Sequence, residues 1–312
     1  MRITQGMMVN NYLHNLNKNY TNLGKLQMQL STGHKVSKPS DNPFVVTRTM
    51  ELKSSIAANE RFKKNIEEAK GWVDTQEMAL GQINDALQKA RELTVQGATG
   101  SLSESDKLAV AEQIKQIREQ IVDIANTSYD GRYIFSGTNT TTKPFEITED
   151  GKVQYNGSTE ELDKELSQGV SLNIGISGKD FFKANYTQKD PNASSTDTEG
   201  IFFTLNNIIA SLEGKPTNPE GQSTSSLLGV LDNNMENIST IRSDTGAIQN
   251  RIEDMYNKNE SETFNMTTLL ANTYDVDLAE TYMQAKVLES IYQASLNVGA
   301  RVLQPSILDF LR

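Results

Sequence analysis

The side chains best suited to chemistry here are carboxylates. Asp275, Asp277 and Glu280 lie close together near the C-terminus, and oxygen ligands so clustered raise the question of a hard cation. On a helix, however, positions 275 and 277 do not face one another, and no calcium-loop glycine with a closing glutamate surrounds them. The adjacent pairs Glu67-Glu68 and Glu160-Glu161 point apart, unlike a general acid and base converging on one substrate. There are two histidines, His14 and His34, and no cysteine. That removes disulfides, thiolate zinc, iron-sulfur clusters and a cysteine nucleophile. No Ser-His-Asp spacing, His-Glu-x-x-His pair or phosphate loop is present. The expectation is a non-enzyme with no catalytic residue, no cofactor and no metal. His34 receives no role, and Trp72, inside a helical pattern, reads as a packing anchor.

The chain has 312 residues and a net charge of −10. Phosphate binding depends on concentrated Lys and Arg, so nucleic acid is not an expected partner. No apolar run approaches the ~18–20 residues of a membrane helix, so no membrane insertion is expected. The N-terminus lacks a continuous apolar core before a small-residue cleavage site, which predicts a protein that is cytosolic or exported without a cleaved signal peptide. The charge is uneven. Residues 1–40 carry five cations and no Asp or Glu, whereas residues 261–312 carry a net −3, so the two ends attract weakly.

The elements that must position any interaction surface are long helices. Val9, Leu13, Leu16, Tyr20, Leu23, Gln27 and Leu30 alternate by four and three, a coiled-coil seam over residues 8–31. Gly33 suits a C-cap, and Asn42 with Pro43 suits the start of the next helix. From Leu52 through Ser55, Asn59, Phe62, Ile66, Ala69, Val73, Gln76, Leu80, Ile83, Leu87, Ala90 and Thr94 the alternation is unbroken. Residues 44–97 as one helix would span about 80 Å, a rod over part of the molecule. Ser103 with Asp106 resembles a capping box ahead of the stripe Val110, Ile114, Ile117, Ile121, Ile124 and Ser128, which predicts a helical hairpin.

After Asp130-Gly131 the period shortens, and segments such as Val153–Tyr155 and Leu172–Ile176 read as strands. Helices return at 201–213, 226–258 and 262–303, and Pro305 marks the end of the last. The fold class expected is mainly α with an inserted β-rich domain, an elongated antiparallel helical bundle formed by the N- and C-terminal segments. Five segments follow: an N-terminal assembly helix and turn at 1–42, a long helical hairpin at 43–131, a β-rich outward domain at 132–200, returning helices at 201–260, and a C-terminal assembly helix and tail at 261–312. The terminal seams mix Ser, Gln, Asn and Gly with their leucines, so they are expected to gain burial from neighbouring subunits. The side chains assigned to that interface are Leu13, Leu16, Tyr20, Leu23 and Leu30 at one end and Leu278, Tyr282, Leu288, Tyr292 and Leu296 at the other.

Two stretches carry a family resemblance. LQMQLSTGHKVSKPSDNPFVV, residues 26–46, resembles the flagellin-family turn in which a helix ends at Ser-Thr-Gly, and its Pro39, Ser40, Asp41, Asn42 and Pro43 are similar to the form in hook-associated members. Residues 274–312 are similar to the C-terminus of those members through Asp275, Asp277, Ala279 and Glu280, through Tyr292–Leu296 with Gln293 and Ser295, and through the tail with Leu308, Asp309, Phe310 and Leu311. The resemblance implies a structural subunit of the bacterial flagellum joining hook to filament and serving flagellin polymerisation as an adaptor. A minor flagellin within the filament is the other reading. It further implies hook-associated protein 1 on the hook side, flagellin on the filament side, self-association in a ring, and a dedicated export chaperone at the C-terminal region. The implied location is extracellular, after export by the flagellar type III apparatus without a cleaved signal peptide. Terminal helices that order on assembly are part of the same implication.

Overall fold

The computed structural model describes residues 5–99, 102–148, 151, 153–160, 162–178, 200–215 and 223–302. In chain order these form α1 (Gln5–Thr32), α2 (Pro43–Ala98), α3 (Glu104–Ala125), β1 (Ser128–Tyr129), β2 (Arg132–Tyr133), β3 (Phe145–Ile147), β4 (Val153–Tyr155), β5 (Asp163–Ser167), β6 (Val170–Asn173), α4 (Ile201–Leu212), α5 (Thr224–Tyr274) and α6 (Leu278–Val302). The protein is mainly α, with a small β-containing region between its helical halves. Contacts divide the chain into two compact units, one of Glu60–Glu260 and one of Met1–Asn59 with Ser261–Arg312.

In the Glu60–Glu260 unit the heptad stripe of α2 is the spine of the core. Ile66, Ala69, Val73, Gln76, Leu80, Ile83, Leu87, Ala90 and Thr94 are all buried. α5 runs antiparallel to this part of α2, as successive cross-links require: Arg91 pairs with Asp232 at 2.6 Å, Arg242 with Glu77, and Gln249 Nε2 donates to Asp74 Oδ1 at 2.9 Å. α3 begins as the capping box predicts, the Asp106 amide donating to Ser103 Oγ at 3.2 Å. Its Val110, Ile114, Ile117 and Ile121 enter the same core, and α4 adds Phe202, Leu205, Ile208 and Leu212.

The strands form three separate antiparallel pairs, β1 with β2, β3 with β4, and β5 with β6. Their buried Phe145, Val153, Tyr155, Leu166 and Leu172 belong to one cluster with the helices. Ser128, read from the sequence as the last position of the third helical stripe, instead opens β1. The helix stops at Ala125 because the Asn126 side chain is taken up by β3, its Oδ1 accepting from the Phe145 amide and its Nδ2 donating to the Phe145 carbonyl, both at 3.0 Å. Asp130 and Gly131, with φ of 50° and 74°, then turn the chain into β2 in the manner of a two-residue hairpin loop.

In the other unit, α1 lies against α6. One expectation fails here: the sequence divides the last two helices near 259–261, whereas α5 continues through that stretch to Tyr274 and the break falls at Asp275–Asp277. Asn257, Asn259 and Ser261 weaken a helix only by propensity, which a continuous helical ladder outweighs. Asp277 actively starts a new helix, its Oδ1 accepting from the amides of Ala279 at 2.9 Å and Glu280 at 3.1 Å, the geometry of an N-cap. Asp275 and Asp277 are therefore break residues and not helical ones.

Candidate assembly surface

The surface that the sequence points to is built on the α1–α6 pair. Half-buried Val9, Tyr12, Leu16, Asn19, Leu23, Leu26 and Leu30 form the inner line of α1, and Thr281, Ala285, Leu288, Tyr292, Ser295 and Gly299 form that of α6. The helices are antiparallel. Near one end the Tyr12 hydroxyl donates to the Ser295 carbonyl at 2.7 Å, and Tyr20 meets Tyr292 with ring centroids 5.8 Å apart. Tyr12 also occupies the space that a side chain on Gly299 would need.

Of the ten side chains assigned to the interface, Leu16, Leu23, Leu30, Leu288 and Tyr292 lie on this inner line. Leu13, Tyr20, Leu278, Tyr282 and Leu296 remain 42–63% exposed. The offset is systematic. Leu13 and Tyr20 each follow an inner residue by one position, Tyr12 and Asn19, and Tyr282 and Leu296 follow Thr281 and Ser295. A one-residue step turns a helical side chain by about 100°, and in an antiparallel pair the same step on both helices leads to the same side. Leu13, Tyr20, Tyr282 and Leu296 thus share one lateral face.

The opposite face carries the residues that precede the inner line. A groove of about 550 Å³ runs there between Asn22, Lys25 and Gln29 on α1 and Met283, Val287 and Ile291 on α6, and Val298 continues its apolar side at 55% exposure. The two lateral faces of the pair both expose apolar side chains and differ in shape, the second being a groove whose α1 wall is polar and whose α6 wall is apolar. Lys286 follows inner Ala285 and stands over the Tyr282 ring at 6.0 Å on the first face; its pKa is raised, first by its hydrogen bond to Glu289 and then by that carboxylate's charge and by Tyr282.

Asp275 and Asp277, two of the family-motif residues, lie at the other end of the pair, where two chain breaks lie side by side. Gly33, with φ of 75°, leaves α1, and the segment after it pairs with the α5–α6 break. The Lys35 amide donates to the Tyr274 carbonyl at 2.8 Å and the Val276 amide to the Gly33 carbonyl at 3.0 Å. His34 stacks on Tyr274 at 4.0 Å and contacts Asp275 through Nδ1 at 3.2 Å. Lys35 Nζ donates to the Asn272 carbonyl at 2.6 Å, and Lys53 stands over the other ring, Tyr274, at 4.5 Å. His34, given no role from the sequence, is a contact residue of this joint. Only its distance in sequence from Asp275 hid the pairing.

The turn into α2 explains the other motif. Asp41 Oδ2 accepts from the Lys38 amide at 3.2 Å, Asn42 Oδ1 accepts from the Val45 amide at 3.3 Å, and Pro43 is the first residue of the helix. Pro39 and Ser40 are exposed. Glu280 accepts from Gln284 Nε2 at 3.0 Å, Gln293 is exposed, and Ser295 contributes its carbonyl to Tyr12. Leu308, Asp309, Phe310 and Leu311 lie outside the described residues. Tyr12 and Leu26 are missing from the sequence-derived set. Tyr12 beside Leu13 and Leu26 beside Gln27 offered the alternative register. Among the described residues no group of three or more His, Cys, Asp or Glu could hold a metal ion, and no helix is long and apolar enough to cross a membrane.

Known proteins match this arrangement at both ends. The family model for the bacterial flagellin N-terminal helical region matches residues 3–140, and that for the C-terminal helical region matches residues 228–311. Flagellar hook-associated protein 3 of Escherichia coli strain K12 is 28% identical over 307 residues, covering 94% of this chain and 96% of that protein. Flagellin of Bacillus subtilis strain 168 is 23% identical over 321 residues, covering all of both chains. The crystal structure of flagellar hook associated protein-3 from Legionella pneumophila shares the fold with a TM-score of 0.60 at 18% identity, covering 72% of this chain and 98% of that one. With both helical regions matched, in order, at the ends that form the α1–α6 pair, the chain belongs to the bacterial flagellin family.

Proposed function

We propose that this chain is a non-catalytic structural subunit joining the flagellar hook to the filament, an adaptor on which flagellin polymerises. The observation that carries the reading is the pair of unlike apolar faces on α1–α6. A head-to-tail ring needs two different complementary surfaces on each copy. Exposed apolar area on both sides of one helix pair is what such a subunit presents before it meets its neighbours. The face of Leu13, Tyr20, Tyr282 and Leu296 is assigned to one neighbour and the groove at Met283, Val287 and Ile291 to the next. The similarity to hook-associated protein 3 along nearly its whole length supports a place between hook-associated protein 1 and flagellin. The export chaperone is assigned to the C-terminal region, where the exposed residues of α6 would otherwise face water, and the route outward is the flagellar type III apparatus without a cleaved signal peptide.

The test is genetic and microscopic. Deleting the gene while retaining flagellin should leave hooks without filaments and unpolymerised flagellin in the medium, and immunogold against this chain should label the distal end of the hook. A full-length likeness to Bacillus subtilis flagellin favours a minor flagellin as the second reading. Label along the filament, or filaments that persist in the deletion strain, would select it.

A further inference from the structure

We propose that the α1–α6 surface is a site of methionine oxidation, and that sulfoxide formation there blocks joining to neighbouring subunits; this rests on the assembly reading above. The chain has ten methionines and no cysteine, so thioethers are its only oxidisable sulfurs. Among the described residues six are open: Met7, Met8, Met28, Met50, Met78 and Met283 are 45–65% exposed. Three of these are on α1, and Met283 lines the groove on α6. By contrast Met235 and Met255 pack against the core of the Glu60–Glu260 unit. Four of the six open thioethers are thus carried by α1 and α6, the two helices whose exposed faces are assigned to assembly, and one of them, Met283, lines the groove itself.

The chemistry is a two-electron transfer to a peroxide. The thioether sulfur donates a lone pair to one peroxide oxygen, the O–O bond breaks, an S–O bond forms, and the remaining oxygen leaves as water after proton transfer. Methionine is oxidised and peroxide reduced. The product is polar and chiral where the parent was a flexible apolar filler, so it no longer suits an apolar groove. Burial in the assembled structure shields the same sulfurs, which confines the modification to the free chain. Met78 lies in the other unit and is equally open, and so serves as an internal control.

The experiment treats the purified full-length chain with hydrogen peroxide, maps sulfoxide by peptide mass spectrometry, and measures joining to isolated hooks that carry hook-associated protein 1 by sedimentation and electron microscopy. Met7, Met8, Met28 and Met283 should oxidise well before Met235 and Met255. Joining should then fall about tenfold or more, the scale of losing burial of one or two side chains. In a variant carrying Met7→Leu, Met8→Leu, Met28→Leu and Met283→Leu, peroxide should cause no further loss of joining relative to the same variant untreated, whereas Met78→Leu alone should give no protection. Methionine sulfoxide reductase should restore joining to the oxidised parent. Oxidised parent chain that joins as well as untreated chain would overturn the proposal, as would equal loss in the fourfold Leu variant. Untreated chain that fails to join hooks would instead overturn the functional reading, and this inference with it.

Discussion

The hydroxyl of Tyr12 donates to the carbonyl of Ser295 at 2.7 Å, and the same ring fills the space beside Gly299 where a Cβ would stand. This contact between α1 and α6 is therefore set by an aromatic residue on one helix and the absence of a side chain on the other. Gly299→Ala forces Tyr12 aside and should cost about 1–3 kcal/mol, as overpacking does. Tyr12→Phe removes the hydroxyl that collides first and the hydrogen bond it makes, at about 1 kcal/mol. Because both changes act on one contact, the double variant should be more stable than the sum of the single losses predicts. Hydrogen exchange of the α1 amides measures this, and strict additivity would refute the shared contact.

The break between α5 and α6 is held by a cap and not by mere weakness of the helix. Asp277→Ala removes the acceptor for the Ala279 and Glu280 amides and should cost about 1 kcal/mol locally. Asp277→Asn retains an acceptor and should recover most of it. The readout is amide exchange over 278–282 in the free chain, and equal protection in Asp277→Ala and the parent would show that the cap is idle.

A long stripe is easy to read from sequence, and a short partnered one is not. Along α2 the positions from Leu52 to Thr94 leave one consistent apolar line, so a single register satisfies every turn. On α1 the candidate seam positions come in adjacent alternatives, Tyr12 or Leu13, Asn19 or Tyr20, Leu26 or Gln27. Propensity and spacing do not choose between them; Gly299 does, by admitting Tyr12. The pairing of His34 with Asp275 was equally hidden, since 241 positions separate them and nothing local marks either residue as a contact. The cap at Asn42 and the capping box at Ser103 were legible because each is satisfied within three residues. The strand pairs were legible as a change of period, yet their ends were not, since Ser128 fits both a helical stripe and a hairpin.

Folding of the Glu60–Glu260 unit should not need the terminal helices. Every fully buried member of its apolar cluster lies between Ile66 and Ile252. A chain lacking residues 1–32 and 278–312 should therefore keep a cooperative thermal transition within a few degrees of the parent, the change expected for ~1 kcal/mol in a domain of this size, while losing the ability to join hooks. Broad, non-cooperative melting of the truncated chain would show that the cluster depends on the ends.

Acid should weaken the contact between α3 and α4 through one carboxylate. Glu213, most of whose side chain is covered, lies 2.7 Å from Lys115 and 2.7 Å from Lys215. The hydrogen bond from Lys115, then that from Lys215, holds its carboxyl below the usual range, while burial acts in the opposite direction. A lowered folded value favours the charged form, so this stabilisation is present above the unfolded value of ~4.3 and is lost as pH falls through the folded one. Lys115 is raised, chiefly by its hydrogen bond to Glu213, so its share is present below ~10.4 and fades only as pH rises beyond its folded value. Between these limits the contact is insensitive to pH. Glu213→Gln keeps the shape and removes the charge, so its melting temperature should lie below the parent's at pH 7. The gap should close only as pH falls through the lowered folded value, where the parent's carboxylate is itself neutralised. A gap of constant size from neutral to acid pH would mean that the charge on Glu213 contributes nothing to holding α4 on α3.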